Sequence, residues 1–310
     1  MNTGYGFGKT ILFGEHFVVY GLPALAAALD VSTTATITAL DCEQSCLIDN
    51  RPKVPYFVPS KYEQYNNMLH RILVYMGIFK NIEITLAGNL IVMSGGIGAS
   101  AAAAVAIARV INNYFNLRWS DEQINQAAHI GEGAIHGNPS GVDNTAALFG
   151  GVFLYRRELE TTLFTRQNIK VSGPVNIVLA DSGRVSDTSK AVADVAKLKE
   201  EKPEFVQEVF TRYTQLIIDV QEAIKHKSLI ELGKLMNQNQ ELLVLLGLSC
   251  PELDRMIVIA REAGALGAKL TGSGQGGLMV ALTPEKEVQK KVSSALRKAG
   301  YVTINTSIGG

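Results

Sequence analysis

The sequence contains little cysteine and no long apolar run, and both absences restrict the setting of the protein. Its three cysteines, Cys42, Cys46 and Cys250, are an odd number and lack the CxxC spacing of a metal site, which favours a reduced intracellular environment. No stretch approaches the roughly 18 apolar residues of a membrane span. The first residues carry no basic region that leads into a signal-like core. We therefore expect a soluble cytoplasmic protein without a membrane partner.

The chain also lacks an excess of either charge, since 29 Lys and Arg residues balance 29 Asp and Glu residues. A nucleic-acid-binding surface or a polybasic membrane anchor would require a basic excess or basic clusters. We therefore expect no nucleic-acid partner. The expected partners are small molecules or other subunits, and a homodimer is compatible with this composition.

Two common phosphate-binding patterns are missing. The GxxxxGK[ST] pattern of P-loop proteins does not occur. Gly96, Gly98 and Ala101 satisfy a loose dinucleotide-binding spacing, but a Rossmann unit needs a second strand with an acid about 20 residues further on. Residues 117–123 instead indicate a helix end, a cap at Ser120 and a new helix. A third kind of phosphate loop is the better interpretation.

What is present is a glycine-rich stretch, residues 93–100, that opens into a run of alanines. Gly95, Gly96 and Gly98 permit a tight turn and the close approach of a ligand. The alanines that follow favour a closely packed helix, whose free N–H groups and positive dipole end would hold a phosphate. For this stretch alone, an ordinary glycine turn before a helix is the alternative interpretation.

Ionisable residues stand at both ends of the first predicted strand. The strand covers residues 10–13, with Lys9 before it and Glu15 and His16 after it. A lysine at a strand end is often only a solvated terminus. Lys9 is therefore either such a terminus or a functional cation.

A second group of polar residues follows a predicted helix at 120–135. Glu132 lies near the end of this helix, where the dipole disfavours a carboxylate, and Asp143 follows a loop rich in glycine, proline and asparagine. The two acids are too far apart in sequence for one helix face, but a loop can fold them towards one site. Taken alone, an acid on such a turn is commonly an Asx cap.

Hydrophobic periodicity predicts a β-rich first half, a helical second half and a β-α-β tail. The predicted strands are 34–39, 82–86, 150–154, 175–180, 278–282 and 301–305. The predicted helices are 60–75, 189–200, 204–225, 229–246, 253–263 and 284–299. Both periodicities are interrupted at 165–175, which predicts a domain boundary there. A third glycine-rich loop, residues 269–277, precedes a buried strand and suggests amides turned towards an anion.

Taken together and in this order, three segments resemble the signature of the GHMP kinases, named for galactokinase, homoserine, mevalonate and phosphomevalonate kinases. Residues 8–21 are similar to the first family motif, residues 96–101 to the phosphate loop, and residues 269–277 to the third motif. Within the family, residues 135–144 are most similar to the mevalonate kinases. The resemblance spans nearly the whole chain.

The chain departs from the family pattern at four positions. Phe7 replaces the proline usual before Gly-Lys, and Ser94 stands near a usual proline of the phosphate loop. Ala99 replaces the first of two serines, although Ser100 retains its hydroxyl, and Gln275 interrupts the last glycine run. The backbone N–H groups that bind phosphate do not depend on a side chain.

The resemblance implies an α+β protein with the two-domain GHMP-kinase-like fold. An N-terminal α+β domain, residues 1–170, would carry the phosphate loop, and a C-terminal ferredoxin-like domain, residues 171–310, would carry the third glycine loop, with the site between them. The implied reaction transfers the γ-phosphoryl group of ATP to the 5-hydroxyl of mevalonate, with Mg²⁺ as the metal. Such a transfer depends mostly on positioning and charge neutralisation.

The resemblance also assigns roles to individual residues. Asp143 would take the hydroxyl proton with Lys9 beside it, and Ser100 and Glu132 would hold Mg²⁺ through hard oxygens. The ATP phosphates would be bound by Gly95, Gly96, Ile97, Gly98, Ala99, Ser100 and Ala101. The substrate side of the site would be formed by Lys9, Glu15, His16, Asp143, Thr188, Gly272 and Ser273.

Three alternatives stay open at this point. A sibling kinase for phosphomevalonate or a sugar would need extra cationic groups or a different acceptor pocket. A non-catalytic nucleotide-binding regulator of the same fold is disfavoured because Lys9, Ser100, Glu132 and Asp143 are all retained. A dehydrogenase is the weakest alternative, because the second Rossmann strand is missing.

Overall fold

The computed structural model of the chain describes residues 3–53, 62–93, 95–137, 139–158, 164–171 and 173–309. Ser60, where the sequence predicts the start of the helix at 60–75, lies outside these ranges, as do Ser94 and Asn138 of the motifs. The chain forms two compact units. Unit 1 comprises Met1–Lys9, Ala28–Met93 and Ile97–Gly150, and unit 2 comprises Thr10–Ala27, Ser94–Gly96 and Gly151–Gly310.

Unit 1 is built from helices packed on a small sheet. The elements up to residue 150 are β1 (Thr3–Phe13), β2 (Ala24–Leu40), β3 (Cys46–Asp49), α1 (Tyr62–Tyr75), β4 (Ile82–Gly88), α2 (Ala99–Phe115), α3 (Asp121–His136) and α4 (Val142–Phe149). β4 pairs antiparallel with β2 and parallel with β3, and β1 pairs with β2. The predicted strands at 34–39 and 82–86 and the predicted helix at 120–135 are confirmed within these elements.

The alanine-rich helix α2 lies at the centre of the unit 1 core. Its alanines from Ala101 onwards are fully buried and pack among apolar side chains of α1, α3 and β4. Glycines of β1 allow the helix to approach that strand, because a Cβ at Gly4 or Gly6 would collide with the carbonyl oxygens of Ala106 and Ala102. Small residues on both elements thus place the start of α2 beside β1, and with it the phosphate loop beside Lys9.

The single tryptophan of the chain, Trp119, also belongs to unit 1. It precedes α3 and packs against the unit 1 core. Its ring meets Tyr75 of α1 edge to face, with the ring centroids 5.7 Å apart. Trp119 therefore joins the end of α1 to the start of α3.

Unit 2 contains a four-stranded antiparallel sheet covered by helices. Its elements after residue 150 are β5 (Val152–Arg157), β6 (Phe164–Ile169), β7 (Val175–Asp181), α5 (Thr188–Glu201), α6 (Pro203–Lys225), α7 (Leu229–Leu245), α8 (Pro251–Glu262), β8 (Gly267–Thr271), β9 (Leu278–Leu282), α9 (Lys286–Lys298) and β10 (Val302–Ile308). The strands β10, β7, β9 and β8 pair in that order, all antiparallel. This order, with α9 between β9 and β10, is the ferredoxin-like arrangement, so the predicted C-terminal fold is confirmed.

Three local predictions were wrong in extent or type, and one strand was not predicted. β1 begins at Thr3 rather than at residue 10, so Lys9 lies inside a strand. Lys269 lies in β8 rather than in the third glycine loop, and Asp143 lies in the first turn of α4 rather than on a loop. The interval with interrupted periodicity contains β6, whose polar sequence is ordered by pairing with β5.

The helices of unit 2 match the predicted positions to within a few residues. Proline at the first turn begins both α6 and α8, as its fixed φ favours. Within the described part of the chain, no helix combines the length and the apolar character that crossing a membrane requires.

Candidate active site

The second half of the phosphate loop leads directly into α2 in unit 1. Gly98 is the N-cap of α2 with φ +69°, and it has no side chain to cap the helix. The N–H groups of Ala99, Ser100 and Ala101 therefore have no intrahelical acceptor. A Cβ at Gly98 would lie 2.7 Å from Cγ of Lys9, so the loop passes directly over the lysine stem. This arrangement suits an anion bound at the helix start.

The first half of the phosphate loop belongs to unit 2 and packs against residues of that unit. A Cβ at Gly95 would lie 3.3 Å from Oγ of Ser186. A Cβ at Gly96, where φ is +83°, would lie 3.3 Å from the carbonyl oxygen of Thr271. Glycine at both positions therefore fits the space beside these neighbours.

Lys9 and Asp143 form an ion pair in unit 1, with Nζ and Oδ1 3.1 Å apart. The Lys9 side chain is 4% exposed and the Asp143 side chain 32% exposed. Lys9 is held by its place in β1 and by its backbone N–H, which donates to the carbonyl oxygen of Ile97 at 3.0 Å. Asp143 lies in the first turn of α4, where the helix dipole favours a carboxylate. A buried cation thus faces a carboxylate that solvent can reach.

Glu132 lies behind this pair on α3 and is fully buried. Burial, together with the nearby charge of Asp143, raises the pKa of Glu132 to about 8. A hydrogen bond from Ser100 opposes this shift. Oε1 of Glu132 has no hydrogen-bond partner among the described residues. The buried carboxyl group therefore has one oxygen that remains available for a ligand.

His136, one turn further along α3, stands close to both predicted metal ligands. Its Nε2 lies 3.2 Å from Oγ of Ser100 and 3.9 Å from Oε2 of Glu132. We call Lys9, Ser100, Glu132 and Asp143 the unit 1 cluster. The structure brings all four of these predicted residues together.

A buried polar network joins the two helices that carry the acids. The side-chain amide of Asn144 on α4 donates to Oδ1 of Asn125 on α3 at 2.8 Å, and Asn125 donates to Oγ1 of Thr145 at 3.3 Å. Removing either asparagine would leave buried polar groups unsatisfied. The network therefore fixes α4 against α3, and with it Asp143 relative to Glu132.

Unit 2 places His16, Ser273 and Gly272 in one neighbourhood. Nε2 of His16 lies 2.7 Å from the carbonyl oxygen of Ser273. Burial lowers the pKa of His16, although this hydrogen bond and the charge of Glu15 oppose the shift. Oγ of Ser273 also lies 2.9 Å from Oγ of Ser186, just before α5.

Thr188 is the first residue of α5 and is exposed. The helix is capped by the preceding residue, Asp187, whose side chain accepts from the backbone N–H of Lys190 at 3.0 Å. Thr188 is thus separated by one residue from Ser186, which contacts Ser273. The contact between Ser186 and Ser273 therefore brings the start of α5, with Thr188, near the third motif in unit 2.

Glu15 occupies a different environment from the other predicted substrate residues. Its carboxylate pairs with the ammonium of Lys269, and neither side chain has exposed surface. Asn239 of α7 donates to the other carboxylate oxygen at 3.4 Å. Burial lowers the pKa of Lys269, while the charge of Glu15 opposes that shift. The pair ties the end of β1 to β8.

Some residues of these neighbourhoods were not predicted from the sequence. His136 lies four positions after Glu132 on the same helix face, a spacing that signals contact. Asn125, Asn144 and Ser186 had no such signal, because their partners are remote in sequence. Lys269 stands inside the third motif, where the glycines around it favour a loop and conceal its place in a strand.

The donor set of the unit 1 cluster fits Mg²⁺ bound together with phosphates. Mg²⁺ in nucleotide sites commonly takes one or two protein oxygens, with phosphates and waters completing its octahedron. Ser100 and Glu132 offer such oxygens, and Oε1 of Glu132 is free to take part. No group of three or more His, Cys, Asp or Glu side chains arranged for a metal occurs in the described ranges.

Comparison with known proteins gives consistent matches. The family model for the GHMP kinases N-terminal domain matches residues 64–151, and that for the GHMP kinases C-terminal domain matches residues 220–302. The mevalonate kinase of Thermococcus sibiricus is 32% identical in an alignment 322 positions long, which covers 97% of this chain and 94% of the relative. That of Pyrococcus abyssi is 33% identical in an alignment of the same length, which covers 97% of this chain and 93% of the relative.

A solved structure also matches nearly the whole chain. The crystal structure of L. major mevalonate kinase in complex with R-mevalonate has a TM-score of 0.93 and 32% sequence identity, covering 99% of this chain and 96% of that chain.

Proposed function

Because this chain belongs to the mevalonate kinase family within the GHMP kinases, we propose that the unit 1 cluster is the centre at which ATP phosphorylates the 5-hydroxyl of (R)-mevalonate. The enzyme is a phosphotransferase with an alcohol acceptor. The observation that carries the assignment of the centre is the ion pair of Lys9 and Asp143, which stands beside Glu132 and the start of α2.

Asp143 is the proposed general base. Its carboxylate is partly exposed, so the hydroxyl of an acceptor can reach it and donate a hydrogen bond. As the oxygen attacks the γ-phosphorus and the bond to the β-γ bridging oxygen breaks, the hydroxyl proton passes to Asp143. ADP leaves with the bridging oxygen. Lys9 holds the carboxylate in place and neutralises charge on the transferred group.

The phosphate loop is the proposed holder of the nucleotide phosphates. The backbone N–H groups of Ala99, Ser100 and Ala101 lie at the start of α2, which is the positive end of the helix dipole. Gly95, Gly96, Ile97 and Gly98 supply the preceding backbone. Ser100 and Glu132 would hold Mg²⁺, which would neutralise charge on the phosphates when bound.

The residues of unit 2 are the proposed substrate side. His16, Gly272, Ser273 and Thr188 offer a ring nitrogen, an amide and hydroxyls suited to the carboxylate and hydroxyls of mevalonate. Glu15 also remains a predicted substrate residue. Its buried pairing with Lys269 supports a contribution through the placement of its neighbour His16.

A coupled assay of ADP release, with and without mevalonate, tests the function. We expect ADP formation that depends on both mevalonate and Mg²⁺. A panel with phosphomevalonate, galactose and homoserine serves as the comparison, and a clear preference for one of these acceptors would refute the proposed substrate. Turnover with any acceptor would refute a non-catalytic regulator.

The remaining expectations are proposals about organisation and setting. We propose a domain boundary near residue 170, a cytoplasmic location and a homodimer in solution. Size-exclusion chromatography with light scattering measures the mass directly, and a monomer at working concentrations would refute the dimer. Limited proteolysis of the full chain tests the boundary, since a linker between two domains should be cut near residue 170, and preferred cleavage elsewhere would contradict it.

A further inference from the structure

The segment that leads out of β3 contacts the chain just before the phosphate loop and again where the loop enters α2. Residues 49–53, which we call the brace, begin at the last residue of β3. Before the loop, the backbone N–H of Val92 donates to the carbonyl oxygen of Pro52 at 2.8 Å, and Lys53 forms a parallel bridge with Val92. Where the loop enters α2, Nη1 of Arg51 donates to the carbonyl oxygen of Ala99 at 2.7 Å. All of these atoms belong to unit 1.

Arg51 is held rigidly within the brace. Its Nε and Nη2 donate to the two carboxylate oxygens of Asp49, both at 2.9 Å. Nη1 also lies 3.3 Å from Oγ1 of Thr33, and the guanidinium stands 5.3 Å from the ring centroid of Tyr65. Arg51 is only 3% exposed. A bidentate pair fixes the orientation of the guanidinium as well as its position.

The position of this cation has an electrostatic cost. A positive charge near the N-terminus of a helix opposes the helix dipole, and α2 begins at Ala99. The carboxylate of Asp49 offsets the charge, yet burying the pair also requires desolvation. The planar guanidinium of Arg51 has several donors, so it can bind the carboxylate of Asp49 and the carbonyl oxygen of Ala99 at the same time and anchor the start of α2. A lysine ammonium would not reproduce this geometry.

We infer that Asp49 and Arg51 are positioning residues that hold the start of α2 where its N–H groups and Ser100 meet the nucleotide phosphates. Arg51 acts through Ala99, the residue before Ser100, and the backbone of Pro52 and Lys53 fixes the chain that leads into the loop. This inference rests on the proposed function, because it assumes that the loop binds ATP. It predicts an effect on nucleotide binding and none on mevalonate binding.

The test compares Arg51→Lys with Arg109→Lys. Arg109 lies on the same helix, ten positions after Ala99, and donates to the carbonyl oxygens of Tyr5 and Leu148, both at 2.8 Å. Both variants lose a guanidinium clamp on backbone carbonyls and keep the charge. Of these two arginines, only Arg51 binds the end of α2 that adjoins the phosphate loop. We measure the Kd of a non-hydrolysable ATP analogue with Mg²⁺ by calorimetry, the KM of ATP and of mevalonate, and the melting temperature.

We expect Arg51→Lys to raise the Kd of the analogue and the KM of ATP by about tenfold, as loss of supporting contacts commonly does, with the KM of mevalonate unchanged. Arg109→Lys is expected to lower the melting temperature without changing nucleotide affinity. If Arg51→Lys lowers the melting temperature but binds the analogue like wild type, the pair is only structural and the inference is overturned.

A second variant and the wild type complete the design. Asp49→Asn removes the acceptor that orients Arg51, and it is expected to weaken analogue binding in the same way; it decides the matter if Arg51→Lys does not fold. Hydrogen exchange at the amides of residues 102–104, the first in α2 that have intrahelical acceptors, should be faster in both variants than in Arg109→Lys, and equal rates would contradict the inference. Failure of wild type to bind the analogue would refute the proposed function itself, which is a different outcome.

Discussion

The pairing of Asp143 with Lys9 leads to the first prediction, Asp143→Asn. An amide of the same shape cannot accept the hydroxyl proton, and a positioned general base contributes about 10²- to 10⁴-fold to the rate. We therefore expect kcat to fall by about that factor while the Kd of ATP changes little. Single-turnover kinetics and calorimetric ATP binding measure the two quantities. A near-normal kcat would mean that the proton leaves late to phosphate or water instead.

The buried carboxyl of Glu132 has consequences for both stability and metal binding. Because its folded pKa of about 8 lies above that of an unfolded glutamate, the stability that its neutral form gives is complete at low pH and is lost as the pH rises towards 8. The slope is up to about 1.4 kcal/mol per pH unit. A neutral glutamine does not ionise, so Glu132→Gln removes this slope.

We therefore predict that metal-free Glu132→Gln is more stable than metal-free wild type at pH 8, with a smaller difference at pH 5. Urea unfolding in EDTA at the two pH values measures this. In the assay, the same variant should need about tenfold more Mg²⁺ or more, since even residues behind metal ligands have effects of that size. An unchanged Mg²⁺ requirement would leave Glu132 as a structural acid.

The junction of the phosphate loop with α2 gives a prediction for an element. At Gly98, alanine meets both a left-handed φ of +69° and Cγ of Lys9 at 2.7 Å. Gly77 is a matched control, since its φ is +71° but nothing lies within 4 Å of the position that a Cβ would take there. Both substitutions carry the cost of the left-handed backbone, about 1–2 kcal/mol.

Gly98→Ala is expected to cost about 1–3 kcal/mol more than Gly77→Ala, because a buried side chain must move. It should also lower kcat, since the side chain that moves is Lys9. Gly77→Ala should leave kcat unchanged. Equal kcat values for the two variants would show that Lys9 tolerates displacement, and would contradict its proposed role.

Elements with strong periodicity could be predicted from the sequence, and elements that depend on remote partners could not. The long helices of unit 2 were placed correctly because each carries its own apolar stripe. The strand β6 is largely polar and is ordered by β5. The helix α4 has only eight residues and begins in a glycine-rich segment, which concealed that Asp143 stands in a helical turn.

For the site, the sequence motifs predicted the residues that are proposed to carry out the reaction, but not the residues that hold them in place. Lys9, Ser100, Glu132 and Asp143 were all predicted, because their types and order match the family signature. Arg51 could not be predicted, because its contact partner Ala99 lies 48 positions away in the sequence and no local pattern indicates the contact. Asn125 and Asn144 could not be predicted either, because their hydrogen bond forms only when α3 and α4 pack together.

At the scale of the whole molecule, the buried pair of Glu15 and Lys269 links the first segment of unit 2, Thr10–Ala27, to its last segment, Gly151–Gly310. Removing one partner leaves an uncompensated buried charge, which commonly costs about 3–5 kcal/mol. We predict that Lys269→Met destabilises the protein by about that amount. The double variant Glu15→Gln with Lys269→Met should recover a large part of the loss. Urea unfolding followed by circular dichroism gives both values, and a double variant no more stable than Lys269→Met would contradict the pairing argument.

Trp119 makes the two units optically distinguishable. The chain has one tryptophan, and it packs against Tyr75 inside unit 1, while tyrosines such as Tyr213 report from unit 2. Fluorescence excited at the red edge of indole absorption therefore follows the melting of unit 1 alone, whereas far-ultraviolet dichroism follows both units. A ligand that acts on α2 and α3 should shift the indole emission. The natural sequence thus already contains its own single-site label, and no engineered dye is needed to watch the half of the enzyme that carries Lys9 and Asp143.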